Sequence, residues 1–393
     1  MNLNSSPTSA GPLAGVRVLE LGQLIAGPFC GQMLGDFGAD VIKIETVDDG
    51  DPMRKWGISV DGRSLSWAVI ARNKRSICVD LRSDDGRCLA LELAAQSDIV
   101  VENFRVGTLE RLGLGWDLLH AQNPRTVLVR ISGFGQDGPY AERAGFGSIG
   151  EAMGGLRQLT GEPDRPPARV GVSLGDMLAG MNGAYGALLA LRAREQTGLG
   201  QVVDVSLYES VLAITEALAS EYVATGLVRE RTGGILPGVA PSNVYPTADG
   251  AWVLIAANHD GVFARLVEAM GDTSLDHDPG FADHVSRGLR QQELDDIVAI
   301  WTIGLTKSEL LTTLEAHGVP AGTVYTAADM VIDPQYLARE SLVTVPDPVI
   351  GTVTMQNVFP KLRSTPGSVR WSGPTLNQHR DEIIEELGTG KGA

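Results

Sequence analysis

Short Val/Ile-rich runs recur through the N-terminal third of the chain with helical segments between them, and this alternation restricts the fold more tightly than any other feature. The runs are Val16 to Leu21 (VRVLEL), Asp40 to Glu45 (DVIKIE), Ser76 to Leu81 (SICVDL), Asp98 to Phe104 (DIVVENF) and Thr126 to Ser132 (TVLVRIS). Their length and β-branched content suit strands buried on both faces. Asp84 to Ala95 and Trp116 to Gln122 read as helices, the first with Asp84 and Asp85 at its positive end, where acidic side chains are favoured. Neighbouring parallel strands need a crossover, and a helix supplies it. The expectation is a doubly wound α/β domain with its ligands at the carboxyl ends of the strands.

The loops at those ends carry the informative residues. Gly22-Gln-Leu-Ile-Ala-Gly-Pro28 is a small-residue turn leading into a helix, with Pro28 near its start. This turn is not a GxGxxG fingerprint, and the chain contains no GxxxxGK[ST], so nicotinamide binding and nucleotide hydrolysis lose their main support. Arg72-Asn-Lys-Arg-Ser76 stands at a strand entrance, where three cations can hold a phosphate or form a solvated face.

The formal charge of −16 provides no electrostatic footprint for nucleic acid or an anionic membrane, and aromatic residues are too sparse, at 5%, for base-stacking surfaces. A phosphate-bearing ligand must therefore meet a local basic pocket. Cys30, Cys78 and Cys88 are far apart and form no CxxC pair or metal spacing with histidine, so they read as buried reduced thiols and no metal site is expected. The first ten residues lack an apolar core and read as a loose tail rather than a signal peptide. No apolar run approaches the roughly 18 to 20 residues that span a bilayer. The expectation is a cytoplasmic protein without nucleic-acid or membrane partners.

Val170-Gly-Val-Ser-Leu-Gly-Asp-Met177 places one carboxylate, Asp176, where a small-residue turn feeds an amphipathic helix. Gly171 and Gly175 let the backbone approach a ligand and leave amides facing developing negative charge. Ser173 lies three residues earlier, and a Ser-x-x-Asp pattern is also a capping arrangement. On these residues alone, Asp176 is a helix cap or a nucleophile.

The ordered series LAGVRVLELGQLIAGPFCGQMLGDFGADVIKIE, GDPMRKW, RNKRSICVDLR, VENFRVGTLERLGLGW, GFGQDGPY, VSLGDMLAG and NQHRDEIIEELG, from about Leu13 to Gly388, resembles the class III CoA-transferases. That family includes the formyl-CoA, carnitine and dicarboxylate CoA-transferases. The resemblance implies an α/β fold with a Rossmann-like large domain built from both chain ends, a smaller α+β domain, and an interlocked homodimer. A composition shift near Arg229 sets the boundaries at 1–225, 226–325 and 326–393, with the AGTVY strand marking the return to the large domain.

The resemblance also implies chemistry. Asp176 would attack an acyl-CoA thioester, passing through an aspartyl anhydride and an aspartyl-CoA thioester before CoA moves to a second, free carboxylic acid. CoA is then a cosubstrate, and no tightly bound cofactor is expected. Leu24, Ile25, the segment Val79 to Arg82, Asn103, Phe104 and Arg111 would surround the coenzyme. Thr46 stands where some relatives have Arg, which leaves Lys74 or Arg75 as the compensating cation.

GFGSIGEAMGGLRQLTGEP, PPARVGVSLGD and PGVAPSN look most like the subgroup using succinyl-CoA and a short dicarboxylic or sulfinic acid. Arg157 and Arg169 are the candidate partners of the distal acid group, and Gly233, Gly234 and Gly238 the candidates for a covering loop. α-Methylacyl-CoA racemases, with the same fold, need an acid and a base on opposite faces of the carbon and take one from a Gly-His-Asp segment. The corresponding Gly145-Phe-Gly147 offers no proton carrier: Phe146 reads as a packed aromatic wall of the pocket, and Gly147 has no carboxylate. The racemase is one alternative; a non-catalytic CoA-binding protein is the other, and Asp176 argues against it.

Overall fold

The computed structural model describes residues 11–272 and 274–389. Strands β1 (Arg17–Glu20) and β2 (Asp40–Glu45) are followed by a small hairpin, β3 (Ser59–Val60) and β4 (Arg63–Ser64), and then by β5 (Lys74–Cys78), β6 (Ile99–Glu102), β7 (Val127–Ser132) and β8 (Val202–Ser206). Apart from the hairpin, these form one six-stranded sheet in the order β5-β2-β1-β6-β7-β8, parallel at every junction. This is the doubly wound order, whose direction reverses between β1 and β6. The sixth strand, β8, was not among the sequence-predicted runs. It lies at the sheet edge and carries Asp204 in its middle, which breaks the apolar signal.

Strand periodicity distributes the core. Val18, Val41, Ile99, Val101 and Val129 face one side, covered by the helices Ala26–Asp36 and Leu174–Thr197 through Cys30, Leu34, Ala179, Ala184 and Ala187. Their chain neighbours Leu19, Ile42, Val100 and Leu128 face the other, under Ala90 and Leu93 of Asp84–Ala95 and Leu119 of Trp116–Gln122. Burying each large apolar side chain contributes about 1.5–3 kcal/mol. The small residues of the long helix allow it to lie close: a Cβ on Gly180 would come within 2.7 Å of the Ala26 carbonyl oxygen.

The outer edge of β5 is closed by the C-terminal segment. Asn377 Oδ1 accepts the Cys78 amide at 2.7 Å, His379 Nδ1 accepts that of Ser76 at 3.1 Å, and Trp371 Nε1 donates to the Lys74 carbonyl at 3.0 Å. An open strand edge is thereby covered.

The chain divides into two compact units: Met1–Leu156, Val170–Ala224 and Pro334–Ala393 make the first, Arg157–Arg169 and Thr225–Asp333 the second. The segment Arg157–Arg169 thus leaves the large domain to which its sequence position assigned it. The second unit has an antiparallel sheet, order β11-β10-β9, of β9 (Ser242–Pro246), β10 (Trp252–Ala256) and β11 (Ala321–Thr323). The AGTVY strand therefore pairs inside this unit rather than marking a return to the first. A further hairpin, β12 (Leu342–Asp347) and β13 (Gly351–Gln356), belongs to the first unit. No single helix among the described residues is long and apolar enough to cross a membrane. Cys30 and Cys78 are buried, whereas Cys88 is exposed, contrary to the sequence reading.

Charged groups beneath β1, β2 and β5 are paired, as burial requires. Glu45 takes two guanidinium bonds from Arg54 at 2.7 Å each, and Asp51 lies 2.8 Å from the Lys43 ammonium. Burial alone would raise both carboxyl pKa values; Arg54 for Glu45 and Lys43 for Asp51 outweigh it and hold them below the ordinary carboxylate range. A depressed folded pKa contributes stability above the unfolded value, lost as pH falls through the folded one. Urea midpoints should thus hold near neutrality and fall below about pH 4. Asp51→Asn should lower the neutral midpoint and flatten part of the acid decline; identical acid profiles would refute this role for Asp51.

Candidate active site

Asp176 is the third residue of the helix Leu174–Thr197, within the first turn, where the helix dipole favours a negative charge. Ser173 occupies the N-cap position but makes no side-chain cap hydrogen bond, so the Ser-x-x-Asp pattern does not function as a capping box. The turn is fixed by backbone instead: Met177 N donates to Ser173 O at 3.0 Å.

The half-buried Asp176 carboxylate lies against a glycine with no room to spare. A Cβ on Gly147 would sit 2.1 Å from Asp176 Oδ2 and 2.6 Å from Cγ. Gly147 opens the short helix Gly147–Met153, and Gly175, next to Asp176, is equally confined, with its would-be Cβ 2.8 Å from Gly147 O. The Gly175 amide donates to buried Glu151 at 3.4 Å. On the other side of Phe146, a Cβ on Gly145 would lie 2.6 Å from Gly133 Cα. Gly133 directly follows β7, so the carboxyl end of this strand supports the segment that meets the nucleophile candidate. Sequence reasoning gave Gly133, Gly145 and Glu151 no role at the site. The repeated Gly-Phe-Gly triplet at 133–135 and 145–147 was the available signal for the first two.

The loop beyond β7 is pinned at two points: Ser132 Oγ accepts the Gly135 amide and Asp204 Oδ2 the Gln136 amide, each at 3.0 Å. Burial, with Asp137 and Glu209 nearby, pushes the Asp204 carboxyl above its usual range.

The proposed coenzyme residues divide into two groups. Leu24 and Ile25 follow β1, Val79 and Arg82 follow β5, and Asn103, Phe104 and Arg111 follow β6, all at the carboxyl edge of the sheet. Arg82 has an 80% exposed side chain 3.2 Å from Asp80, and exposed Arg111 bonds Thr108 Oγ1 at 2.7 Å. Phe104 packs partly buried on the core, while Val79 is buried. Asn103 uses both amide atoms on the backbone of Gln23, at 2.8 and 2.9 Å.

Lys74 and Arg75 depart from the expectation. They belong to β5 itself rather than to a loop before it. Lys74 has no exposed surface; its ammonium meets Glu20 Oε2 at 2.8 Å and the Pro28 carbonyl at 2.6 Å. Arg75 is bound by Asp40, Glu382 and Glu386. Neither has a cation to offer a phosphate.

Phe146 is 68% exposed in the chain, not a packed wall. Arg157 and Arg169 belong to the second unit, as do Gly233 and Gly234. There the Gly233 amide donates to Gly161 O at 3.0 Å, and a Cβ on Gly233 would lie 2.7 Å from Glu162 Oε2. Among the described residues, no group of three or more His, Cys, Asp or Glu side chains is arranged to hold a metal ion.

The doubly wound sheet, with a carboxylate held beside glycine-lined loops at its carboxyl edge, defines an α/β protein of the CoA-transferase type. The sequence profile of CoA-transferase family III matches residues 13–380, and the chain belongs to that family. The succinyl-CoA–D-citramalate CoA-transferase of Chloroflexus aurantiacus is 56% identical over 384 residues, covering 98% of this chain and 96% of the relative. The β subunit of succinyl-CoA–L-malate CoA-transferase from the same organism is 42% identical, covering 97% and 95%. The crystal structure of a CaiB/BaiF family protein from Brucella suis superposes with a TM-score of 0.85 at 36% identity, covering 96% of this chain and 100% of that one. The enzyme is therefore a CoA-transferase whose substrates are a CoA thioester and a free carboxylate.

Gly147→Ala tests the confinement of Asp176. The added methyl must displace the carboxylate, and a misplacement near 1 Å costs about 100-fold in kcat, with the melting temperature barely changed. Wild-type turnover would show that Asp176 need not occupy this position.

Proposed function

We propose that the enzyme moves CoA from succinyl-CoA to a short 2-hydroxydicarboxylate of the citramalate or malate type, with Asp176 as nucleophile. The observation that carries this reading is the Asp176 carboxylate at the start of a long helix, packed against the backbone of Gly147 in a space that no larger residue at 147 would leave. The names of the relatives support the choice of donor and acceptor.

An Asp176 oxygen attacks the succinyl thioester carbonyl, the C–S bond breaks, and CoA leaves as thiolate from a mixed anhydride. The thiolate then attacks the aspartyl carbonyl, releasing succinate and leaving CoA on Asp176 as a thioester. The acceptor carboxylate repeats the first step on this thioester, freeing the thiolate and forming a second anhydride. Thiolate attack on the acceptor carbonyl yields the new CoA ester and regenerates the Asp176 carboxylate. A carboxylate is a weak nucleophile, so the site must stabilise each tetrahedral oxyanion. The helix start and the glycine-flanked backbone at residues 145–147 supply dipoles toward the carboxylate, whereas the Gly175 amide is held by Glu151. Both acyl intermediates are water-labile, and closure must accompany turnover.

Arg82 and Arg111 bind the coenzyme phosphates, while Leu24, Ile25 and Phe104 offer apolar surface above the buried Val79. The active form is a homodimer: Met181, Tyr185, Leu188 and Leu189 form an exposed apolar stripe on the long helix that a second copy can bury.

Succinyl-CoA incubated separately with D-citramalate, L-malate, glutarate and mesaconate should give new CoA esters by mass spectrometry, with the hydroxydicarboxylates fastest. Asp176→Ala should lose at least about three orders of magnitude in turnover while still binding CoA, and hydroxylamine should trap an acylated wild-type enzyme at Asp176. Near-normal transfer by the alanine variant would end the carboxylate mechanism.

A chiral 2-methylacyl-CoA in D₂O, without acceptor, should take up no deuterium. Rapid uptake would instead establish proton transfer at the α-carbon and a racemase.

A further inference from the structure

The turn between β1 and the first helix is held from below by a charge that never reaches solvent. The Lys43 ammonium, fully buried on β2, donates to the Gly22 carbonyl at 2.7 Å and to Glu20 Oε1 at 3.0 Å, and lies 2.8 Å from Asp51 Oδ2. Asp51, itself buried, uses Oδ1 to accept the Leu24 amide at 3.1 Å and the Met53 amide at 2.8 Å. Asn103 clamps the intervening Gln23 through both its N–H and its C=O. Three consecutive residues are thus fixed by groups from β2, from the Asp51 turn and from the end of β6. The restraint has work to do, because Leu24 sits at φ 64°, a left-handed conformation costing a non-glycine residue about 1 kcal/mol or more. The side chains of Gln23, Leu24 and Ile25 remain half-exposed, at the point where the strand order reverses.

We propose that Lys43 is a positioning residue for acyl-CoA: acting through Gly22 and Asp51, it presets the Gln23–Ile25 turn in the shape the coenzyme meets. This rests on the reading that the coenzyme lies along this sheet edge. Lys74 provides an internal comparison. It is equally buried and shares Glu20, but its carbonyl partner is Pro28, already within the first helix, and it touches no part of the turn. Both lysines hold the fold together; only Lys43 holds the turn.

Lys43→Met and Lys74→Met in the full chain should both lower the melting temperature. Lys43→Met should also raise KM for succinyl-CoA about tenfold, with kcat and the acceptor KM within about twofold, while Lys74→Met should leave all three near wild type. If Lys43→Met fails to fold, Asp51→Asn substitutes for it. The amide keeps the size but presents a donor to the Lys43 ammonium, and the same selective rise in KM is expected. Equal KM shifts in the two lysine variants, or none in either, would overturn the positioning role. Arg82→Met and Arg111→Met, measured alongside, test the coenzyme site itself. A KM rise there without one in Lys43→Met overturns this inference alone, whereas no rise in any of them overturns both readings.

Discussion

Glu20 lies between two buried ammonium groups, and much of the first unit is arranged around that contact. The carboxylate meets Lys43 at 3.0 Å and Lys74 at 2.8 Å, and all three side chains are closed to water. It therefore joins β1 to β2 and β5 in addition to the sheet hydrogen bonds. Removing one partner of such a set leaves an uncompensated charge inside, at about 3–5 kcal/mol. The surroundings fit: a Cβ on Gly31 of the first helix would lie within 1.9 Å of Glu20 Oε2, so only glycine admits the carboxylate there. The two lysines do not answer burial alike. Burial would lower either pKa; for Lys43 the carboxylates of Asp51, Glu20 and Glu45 more than compensate, whereas Lys74 stays lowered, with the like charge of Lys43 adding to the effect of burial.

Around Asp176 the controlling contacts are absences of atoms. Gly133 meets Gly145, Gly147 meets the carboxylate, and Gly175 meets Gly147, each at a distance that excludes a methyl group. Farther along, Gly150 in the same short helix and Gly154 at its C-cap would place Cβ atoms 2.7 Å from Leu207 Cβ and 2.6 Å from Val211 Cβ. The helix Gly147–Met153 is thus pressed between the nucleophile candidate on one side and the helix following β8 on the other. A site assembled this way is tightly packed, with Glu151 the polar side chain built into it, which suits chemistry that depends on oriented backbone dipoles.

The local parts of this arrangement were legible from residue order. The helices Asp84–Ala95 and Trp116–Gln122 occupy the residues their patterns indicate, since the apolar spacing lies within them, and Ser83 caps the first. The buried strands announced themselves through continuous Val and Ile, and the Ser173–Asp176 turn through its small residues. What escaped depends on distant partners. Lys74 and Arg75 looked like cations available to a coenzyme phosphate because the carboxylates that internalise them stand at 20, 40, 382 and 386. Arg157 and Arg169 looked continuous with the large domain, yet Gly161 and Glu162, between them, meet Gly233 in the second unit. A linear pattern reports the period of an element and is silent on which remote side chain neutralises a charge.

The same internalisation bears on how an acidic chain accepts an anionic coenzyme. Lys43, Lys74, Arg63, Arg72, Arg75, Arg130 and Arg287 are all buried, each with a carboxylate partner. The cations withdrawn into these pairs contribute little to the outer surface of a chain with formal charge −16. Long-range attraction for phosphate is therefore unavailable, but its absence costs little at physiological salt, where fields fade over about 8 Å. Recognition falls to short contacts, and there the position of a cation counts for more than the number of cations. Arg82, in the turn after β5, and Arg111, at the end of the short helix Thr108–Arg111 after β6, are exposed at the carboxyl edge of the sheet. Because the buried cations of these strands serve the fold, only cations left in solvent at this edge can serve the ligand, and the overall charge gives no measure of that capacity.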